Sequence, residues 1–429
     1  MSTTITTRAP AAPGPLSFAP FRRMFAARLV SSIGSTMQVV AAGWLVLRLT
    51  GSSMDVGLLA AVALGPSLVG SPIGGALADR VCPRKLATWL SAAQVPGPLL
   101  LALGAYQGWL TFPLILLFVL MVAVPTALVN PVMSIVVPFT VPEELRHRSV
   151  NLMSAARNVG MVIGGVCGGW ATATMGAWLA FAVNGASNVL VAVVVAASPV
   201  LQASCDLARH RHAGRERSMD GLRDGLRAGW PLPLVRTVVY GALVFFVVVA
   251  PVQSLLPAIA REHGDAMMLG LLFATINAGA IIGNTFLGKV LADGHRARTV
   301  LVVGVLLSAL GTLLVGAGPG LASDLLGLLV VGLSWEMVYV AGTSALQLDT
   351  PERIRGRMIG VFFLIVSAAA AAGALAMGWL FDRLGVSPAL LAVAVVAAVG
   401  GAAVGTQHRR TVSASATTRR SSPPVGSVR

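Results

Sequence analysis

Long apolar stretches separated by short polar ones dominate the pattern along this chain. A helix needs roughly 20 apolar residues to cross the core of a bilayer, and about twelve stretches meet that length. Six lie near 24–49, 55–78, 86–106, 110–132, 150–174 and 177–200. Six more lie near 234–260, 267–291, 299–316, 321–346, 358–381 and 386–405. The polar interval between the two sets carries Arg209, Arg211, Arg215, Arg217, Arg223 and Arg227. The predicted fold is an all-α membrane protein: twelve transmembrane helices in two parallel-related six-helix bundles, 21–200 and 234–405. A basic cytoplasmic linker, 201–233, joins the bundles. Disordered cytoplasmic tails, 1–20 and 406–429, are expected at the ends, because both are rich in small polar residues and lack apolar periodicity.

The two halves resemble each other. Pro142-Glu-Glu-Leu-Arg146-His-Arg148 follows the fourth run, and Pro351-Glu-Arg-Ile-Arg355-Gly-Arg357 follows the tenth. Both read P-E-x-[L/I]-R-x-R, and they stand 351 − 142 = 209 positions apart. Leu77-Ala-Asp79, after Gly74, is echoed by Leu291-Ala-Asp293, after Gly288, at 293 − 79 = 214. Two loop pairs with nearly one offset indicate a duplication whose halves are related by an axis along the membrane normal.

Composition agrees with a lipid solvent: 56% of residues are hydrophobic, 11% are charged and the mean hydropathy is +0.82. A soluble domain carries about a quarter charged residues. The net charge of +15 could suit a nucleic-acid binder, but the basic residues sit in short loops between apolar runs. With the N-terminus inside, Arg80, Arg84, Lys85, Arg146, Arg148, the central stretch, Lys289, Arg296, Arg298, Arg353, Arg355 and Arg357 all fall inside. Of the basic loop residues, only Arg48, Arg261 and Arg383 fall outside. That bias predicts a multi-pass protein of the cytoplasmic membrane with both termini in the cytoplasm. Cys82, Cys167 and Cys205 suggest no disulfide framework. His210 and His212 lack the paired spacing of a metal site. No P-loop and no nucleophile set is present, so no enzyme activity and no cofactor is expected and energy must come from an ion gradient.

The residues resemble a known family. Gly75, Asp79 and Arg80 match the loop-two-to-three signature G-x-x-x-D-R-x-G-R-[R/K] of the major facilitator superfamily, with Arg84 and Lys85 one place late and Cys82-Pro83 at the tip. Ser31-Ser-Ile-Gly34, Gln38, Gly43-Trp44, Leu49-Thr-Gly-Ser52, Asn130-Pro131 and Val141-Pro-Glu-Glu-Leu145 are similar to the bacterial drug and siderophore exporter branch, the transmembrane secretion effectors. So are Gln347, Pro351 and Arg355-Gly-Arg357. The resemblance spans about 20–405. It implies proton-coupled export of amphipathic small organic molecules by alternating access. Its partners are then the bilayer, a small-molecule substrate and protons, with no nucleic acid, and it is expected to work as a monomer. Asp79 would act in a cytoplasmic gate with Gly75, Arg80, Arg84, Arg146, Arg148, Asp293, Arg355 and Arg357. The family's antiporters place a Gly-Pro kink in the fifth helix, where Gly165 stands here. An uptake symporter and a non-transporting scaffold or receptor of the same fold are the rival readings.

Ionisable groups inside membrane runs cost about 2.5–3.5 kcal/mol on insertion scales and are functional candidates by default. Glu336 lies about 22 Å along its run from the outer end, in the inner half. It can bind a proton, bind a cationic substrate or pair with an arginine. Arg157 of the fifth run can face an anionic substrate, face Glu336 or close an internal salt bridge. Arg28, near the inner end of the first run, reads as a snorkelling side chain. Gln38, Asn130, Asn158, Gln253 and Asn277, with Trp44, Trp335 and Tyr339, are cavity candidates. So are Gln94, Asn184, Asn188 and Asn284. Each polar one can instead make an interhelical hydrogen bond. Asp55 and Asp324, near the outer face, are expected to be solvated.

Overall fold

The computed structural model describes residues 14–198, 201, 202, 205, 227, 233–290, 297–350 and 352–421. Among them, every regular element is helical. The first half contains α1 (Ala19–Thr50), α2 (Ser53–Leu64, resumed as Pro66–Arg80) and α3 (Pro83–Ala93, resumed as Pro96–Gln107). It continues with α4 (Phe112–Val136), α5 (Arg146–Thr174) and α6 (Ala177–Ala196). The second half opens with α7, built of Pro233–Leu243, a π turn Val244–Val249, Pro251–Ser254 and Leu256–His263. Then come α8 (Ala266–Val290), α9 (Ala297–Ala317), α10 (Leu321–Asp349), α11 (Glu352–Leu384) and α12 (Val386–Ser421). Eleven of these are long and apolar enough to span a membrane. The exception is α5, which is 29 residues long but rich in glycine and polar side chains.

The breaks have local causes. Pro66, Pro96 and Pro251 cannot donate to the preceding turn, and each restarts its helix. Gly51 and Gly385, at φ +70° and +84°, end α1 and α11 in the left-handed conformation that a Cβ resists. Ser52 then caps α2 by accepting from the Asp55 amide at 3.2 Å.

Within the first half α1 packs on α5 and α6, and α4 packs on α2 and α3. Within the second, α10 packs on α8 and α9, and α12 packs on α9. The halves meet where α5 lies on α8 and α2 lies on α11. Shifting each helix number by six turns one seam into the other, as the sequence repeat requires.

The glycines of α5 divide between two partners. A Cβ on Gly164 would stand 2.5 Å from Ile33 O, and one on Gly168 would stand 2.8 Å from Met37 Cα, both in α1. A Cβ on Gly169 would stand 2.6 Å from Gly270 Cα in α8. Small residues bring backbones together where lipid offers no hydrophobic drive. Gly164→Leu is therefore expected to destabilise the first half by about 3 kcal/mol or more. A thermal-unfolding midpoint of purified protein equal to the parent's would refute this.

Three expectations need correction. α12 runs on to Ser421, inside the segment expected to be a disordered tail, because no proline or glycine interrupts 406–421. Asp324 is 5% exposed, not solvated, because His263 Nε2 meets its Oδ2 at 2.5 Å and lets the carboxylate be buried. Cys82 and Cys205 are bonded to each other across 4.4 Å between their Cα atoms. The start of α3 lies against the end of α6, a proximity that a separation of 123 residues does not announce.

Candidate functional site

A cavity of about 910 Å3 runs up the axis between the halves. It reaches the end of the bundle where α1 begins, among Met24 and Arg28 of α1, Val137 beyond α4 and Val150 of α5. It extends to Gly43 and Pro257. A smaller cavity of about 80 Å3 is lined by Arg157, Asn158, Met161, Gln253, Asn277 and Glu336, with Trp335 on its wall. Arg157, Met161, Gln253 and Trp335 line both.

The far end is sealed along three seams. At α2 and α11 the Asp382 carboxylate crosses between the halves. Its Oδ2 accepts from Ser52 Oγ at 2.7 Å and from the Met54 amide at 3.0 Å, and its Oδ1 accepts from the Ser53 amide at 2.7 Å. These are the free donors of the first turn of α2, so an acid of one half caps a helix of the other. One turn below, a Cβ on Gly378 would lie 2.6 Å from Ser53 O, and Gly57 leaves no room for one against Ala374 O. Positions 374, 378 and 382 thus form one ladder on α11. At α1 and α7, a Cβ on Gly43 would lie 2.9 Å from Pro257 Cγ, and Arg261 Nη1 reaches Gly51 O at 3.5 Å. At α5 and α8, Gly165 and Gly169 lie against Gly270.

Helix packing settles where the sequence candidates stand. Glu336 is 9% exposed, and its Cβ would be 3.2 Å from a Cβ on Gly283, where α8 crosses α10. Arg157 is exposed within the cavity and lies within electrostatic reach of Glu336. Asn277 Nδ2 donates to Phe273 O at 2.7 Å, so its other valence faces the small cavity. Gln38 lines the large cavity and accepts from Asn184 Nδ2 at 2.7 Å, an α1–α6 hydrogen bond. Asn130 lines the same cavity near its mouth. Trp335 stacks edge-on to Phe245 and Phe246, at 5.7 and 5.4 Å between centroids. Trp44 and Tyr339 line neither cavity. Trp44 packs on the apolar core, and Tyr339 lies 6.3 and 6.0 Å from the rings of Phe362 and Phe363.

Of the gate candidates, Arg84 Nη2 donates to Ala196 O at 2.5 Å and Nη1 to Gln202 at 3.4 Å, tying α3 to the end of α6 within one half. Arg146 pairs with Glu143 at 3.1 Å and covers the Phe139 ring, and Arg148 is exposed. The side chains of Asp79, Arg80, Arg355 and Arg357, with Gly75 and all of Asp293, lie outside the described residues. Sequence reasoning did not find Asp382. An Asp-Arg pair before a helix-ending glycine looks like a solvated loop, and its role depends on a helix 328–330 positions away. Arg28 was read as snorkelling and lines the cavity instead.

A family model described as "Transmembrane secretion effector" matches residues 10–426. The multidrug efflux pump Tap of Mycobacterium tuberculosis (strain ATCC 25618 / H37Rv) is 26% identical over 381 residues, covering 86% of this chain and 88% of that one. The enterobactin exporter EntS of Escherichia coli O81 (strain ED1a) is 28% identical over 360 residues, covering 80% of each. Among solved structures, nucleoside transporter NupG aligns with a TM-score of 0.68 at 12% identity, over 91% of this chain and 99% of that one. An inward-facing, unoccupied bacterial homolog of the human lysosomal transporter Spinster aligns with a TM-score of 0.64 at 17% identity, over 93% and 98%. At these identities the two structures establish the fold.

Proposed function

Because the chain belongs to the transmembrane secretion effector family of the major facilitator superfamily, we propose that it is a secondary exporter of amphipathic small organic molecules, driven by protons through alternating access. The observation that carries the reading is a large cavity, open at one end and sealed at the other, with Arg157 and Glu336 beside its wall. The basic loops favour a cytoplasmic position for the end among Met24, Val137 and Val150, and in this reading the conformation takes substrate from inside the cell. Rocking the halves about the cavity would close the mouth and part the three far-end seams. Its similarity to a multidrug efflux pump and an enterobactin exporter favours export over uptake.

In this reading Glu336 exchanges the proton and Arg157 answers its charge. Gln38, Asn130, Asn158, Gln253, Asn277 and Trp335 contact the substrate. The cytoplasmic gate is the Gly75–Asp79–Arg80 motif with Arg84, Arg146, Arg148, Asp293, Arg355 and Arg357. We read the working unit as a monomer in the cytoplasmic membrane, with no cofactor.

The test is accumulation of antibiotics and siderophores in cells lacking or overproducing the protein, with and without a protonophore. Loss of a compound from overproducing cells, abolished by the protonophore, is the expected result. Gradient-dependent gain would make the protein an importer. Indifference to the gradient for every compound would favour a scaffold.

A further inference from the structure

Resting on the export reading, we propose that the central cavity selects amphipathic organic anions. Its described lining contains two guanidiniums, Arg28 and Arg157, and no carboxylate. The acid nearest to them, Glu336, sits behind, in the small cavity. Two cations against one acid leave the site with a net positive charge.

Among the described residues neither guanidinium makes an ion pair, and Arg157 Nη1 reaches the Met161 sulfur at 4.0 Å. The two arginines belong to neighbouring, packed helices, and like charges this close repel one another. Holding like charges between apolar walls is unfavourable unless an anion joins them. Arginine also offers a planar fork of donors that matches carboxylate, sulfonate or phenolate oxygens.

The rest of the wall suits the body of such a ligand. Met24, Met133, Met153 and Met161, with Phe246 and Trp335, make a soft and polarizable surface. Methionine fits irregular shapes and serves surfaces that accept many partners. The arginines stand at about one depth on the parallel, packed helices α1 and α5, where Gly160 meets Leu29 and Ser32, with Trp335 on the same cavity wall. An anion entering from the mouth therefore meets both cations at one level. A cation entering the same way meets repulsion before it reaches Glu336.

Two xanthene dyes test this, because fluorescein is an anion, rhodamine 123 is a cation and their ring systems match. Binding of each to the full chain in lipid nanodiscs is followed by fluorescence polarisation. Fluorescein is expected to bind at least about tenfold more tightly than rhodamine 123. Arg28→Gln and Arg157→Gln are each expected to weaken fluorescein binding about tenfold, the scale of one charged hydrogen bond, while Arg157→Lys, which keeps the charge but not the fork, loses less than Arg157→Gln. Equal or tighter binding of rhodamine 123, or fluorescein binding untouched by both substitutions, would overturn the proposal. Should Arg157→Gln fail to fold, the parent dye ratio and Arg28→Gln decide. Efflux of the dyes from proteoliposomes is scored separately. Fluorescein bound but not moved keeps the anion site and removes export. Rhodamine 123 moved without fluorescein binding keeps export and removes the anion site.

Discussion

Replacing Asp382 by alanine is expected to unlatch the far end of the transporter while leaving its fold intact. The carboxylate takes three hydrogen bonds from Ser52, Ser53 and Met54 across the boundary between the halves. It belongs to α11, the donors belong to the start of α2, and among the described residues no other carboxylate bonds that turn. A lost helix cap costs about 0.5–2 kcal/mol, and the interaction of the acid with the helix dipole adds about 0.3–1 kcal/mol. Both terms act only while the seam is closed. When the halves part, the donors and the carboxylate are free to bond water, so the substitution changes the balance between conformations more than the stability of either. A shift of about 1.4 kcal/mol is tenfold in that balance. The measurement is alkylation of an Ala60→Cys reporter, which lines the cavity below the seam, by a maleimide that cannot cross the membrane. The reagent is added from the side opposite the termini, to protein otherwise free of cysteine. Asp382→Ala is expected to raise the rate about tenfold, and Gly378→Leu, which drives a side chain into Ser53 and Met54, is expected to raise it further. Rates equal to the parent's in both variants would show that this seam does not hold the gate.

Glu336→Gln is expected to separate transport from its energy source. The glutamine keeps the shape and the hydrogen-bonding reach of the acid, so the tight crossing of α8 at Gly283 is preserved. It cannot take or release a proton, and it leaves Arg157 without the carboxylate whose charge it feels. Proteoliposomes loaded with a transported compound and given a pH gradient should export it against its concentration in the parent and not in the variant. Downhill exchange should stay within about tenfold, or about 1.4 kcal/mol of the barrier. Uphill export by the variant at the parent's rate would remove Glu336 from the coupling step.

Much of the architecture was legible in the apolar runs, because a spanning helix must be apolar along its whole length and cannot hide that requirement in its neighbours. The repeat of Pro142–Arg148 at Pro351–Arg357 exposed the two halves for the same reason, since loops between rigid helices retain their spacing. Glu336 and Arg157 were legible because a charge within an apolar run is conspicuous. Asp382 was not, because its meaning lies in a partner helix. Its local sequence is that of any helix end, and only the fold brings the start of α2 beneath it. Arg28 shows a related limit: a basic residue near the end of a run suits lipid headgroups and a cavity mouth equally well, and helix rotation decides between them. The breaks in α2, α3 and α7 were hidden by length. A run long enough to cross the bilayer leaves no trace of a bend, although Pro66, Pro96 and Pro251 supply the cause. The pairing of Asp324 with His263 and of Cys82 with Cys205 likewise depends on contacts that no local pattern encodes.

The weakly apolar α5 has a consequence for biosynthesis. It carries Arg157 near its middle and five glycines between 160 and 169, and so gains little from entering lipid by itself. Its close-packing surfaces are covered only when α1 stands on one side and α8 on the other. The ribosome delivers α1 before it and α8 after it. Membrane insertion of this chain is therefore not a procession of independent helices. α5 is expected to be held across the bilayer by α1 and α8 together, so the first half depends on the second for one of its own spans.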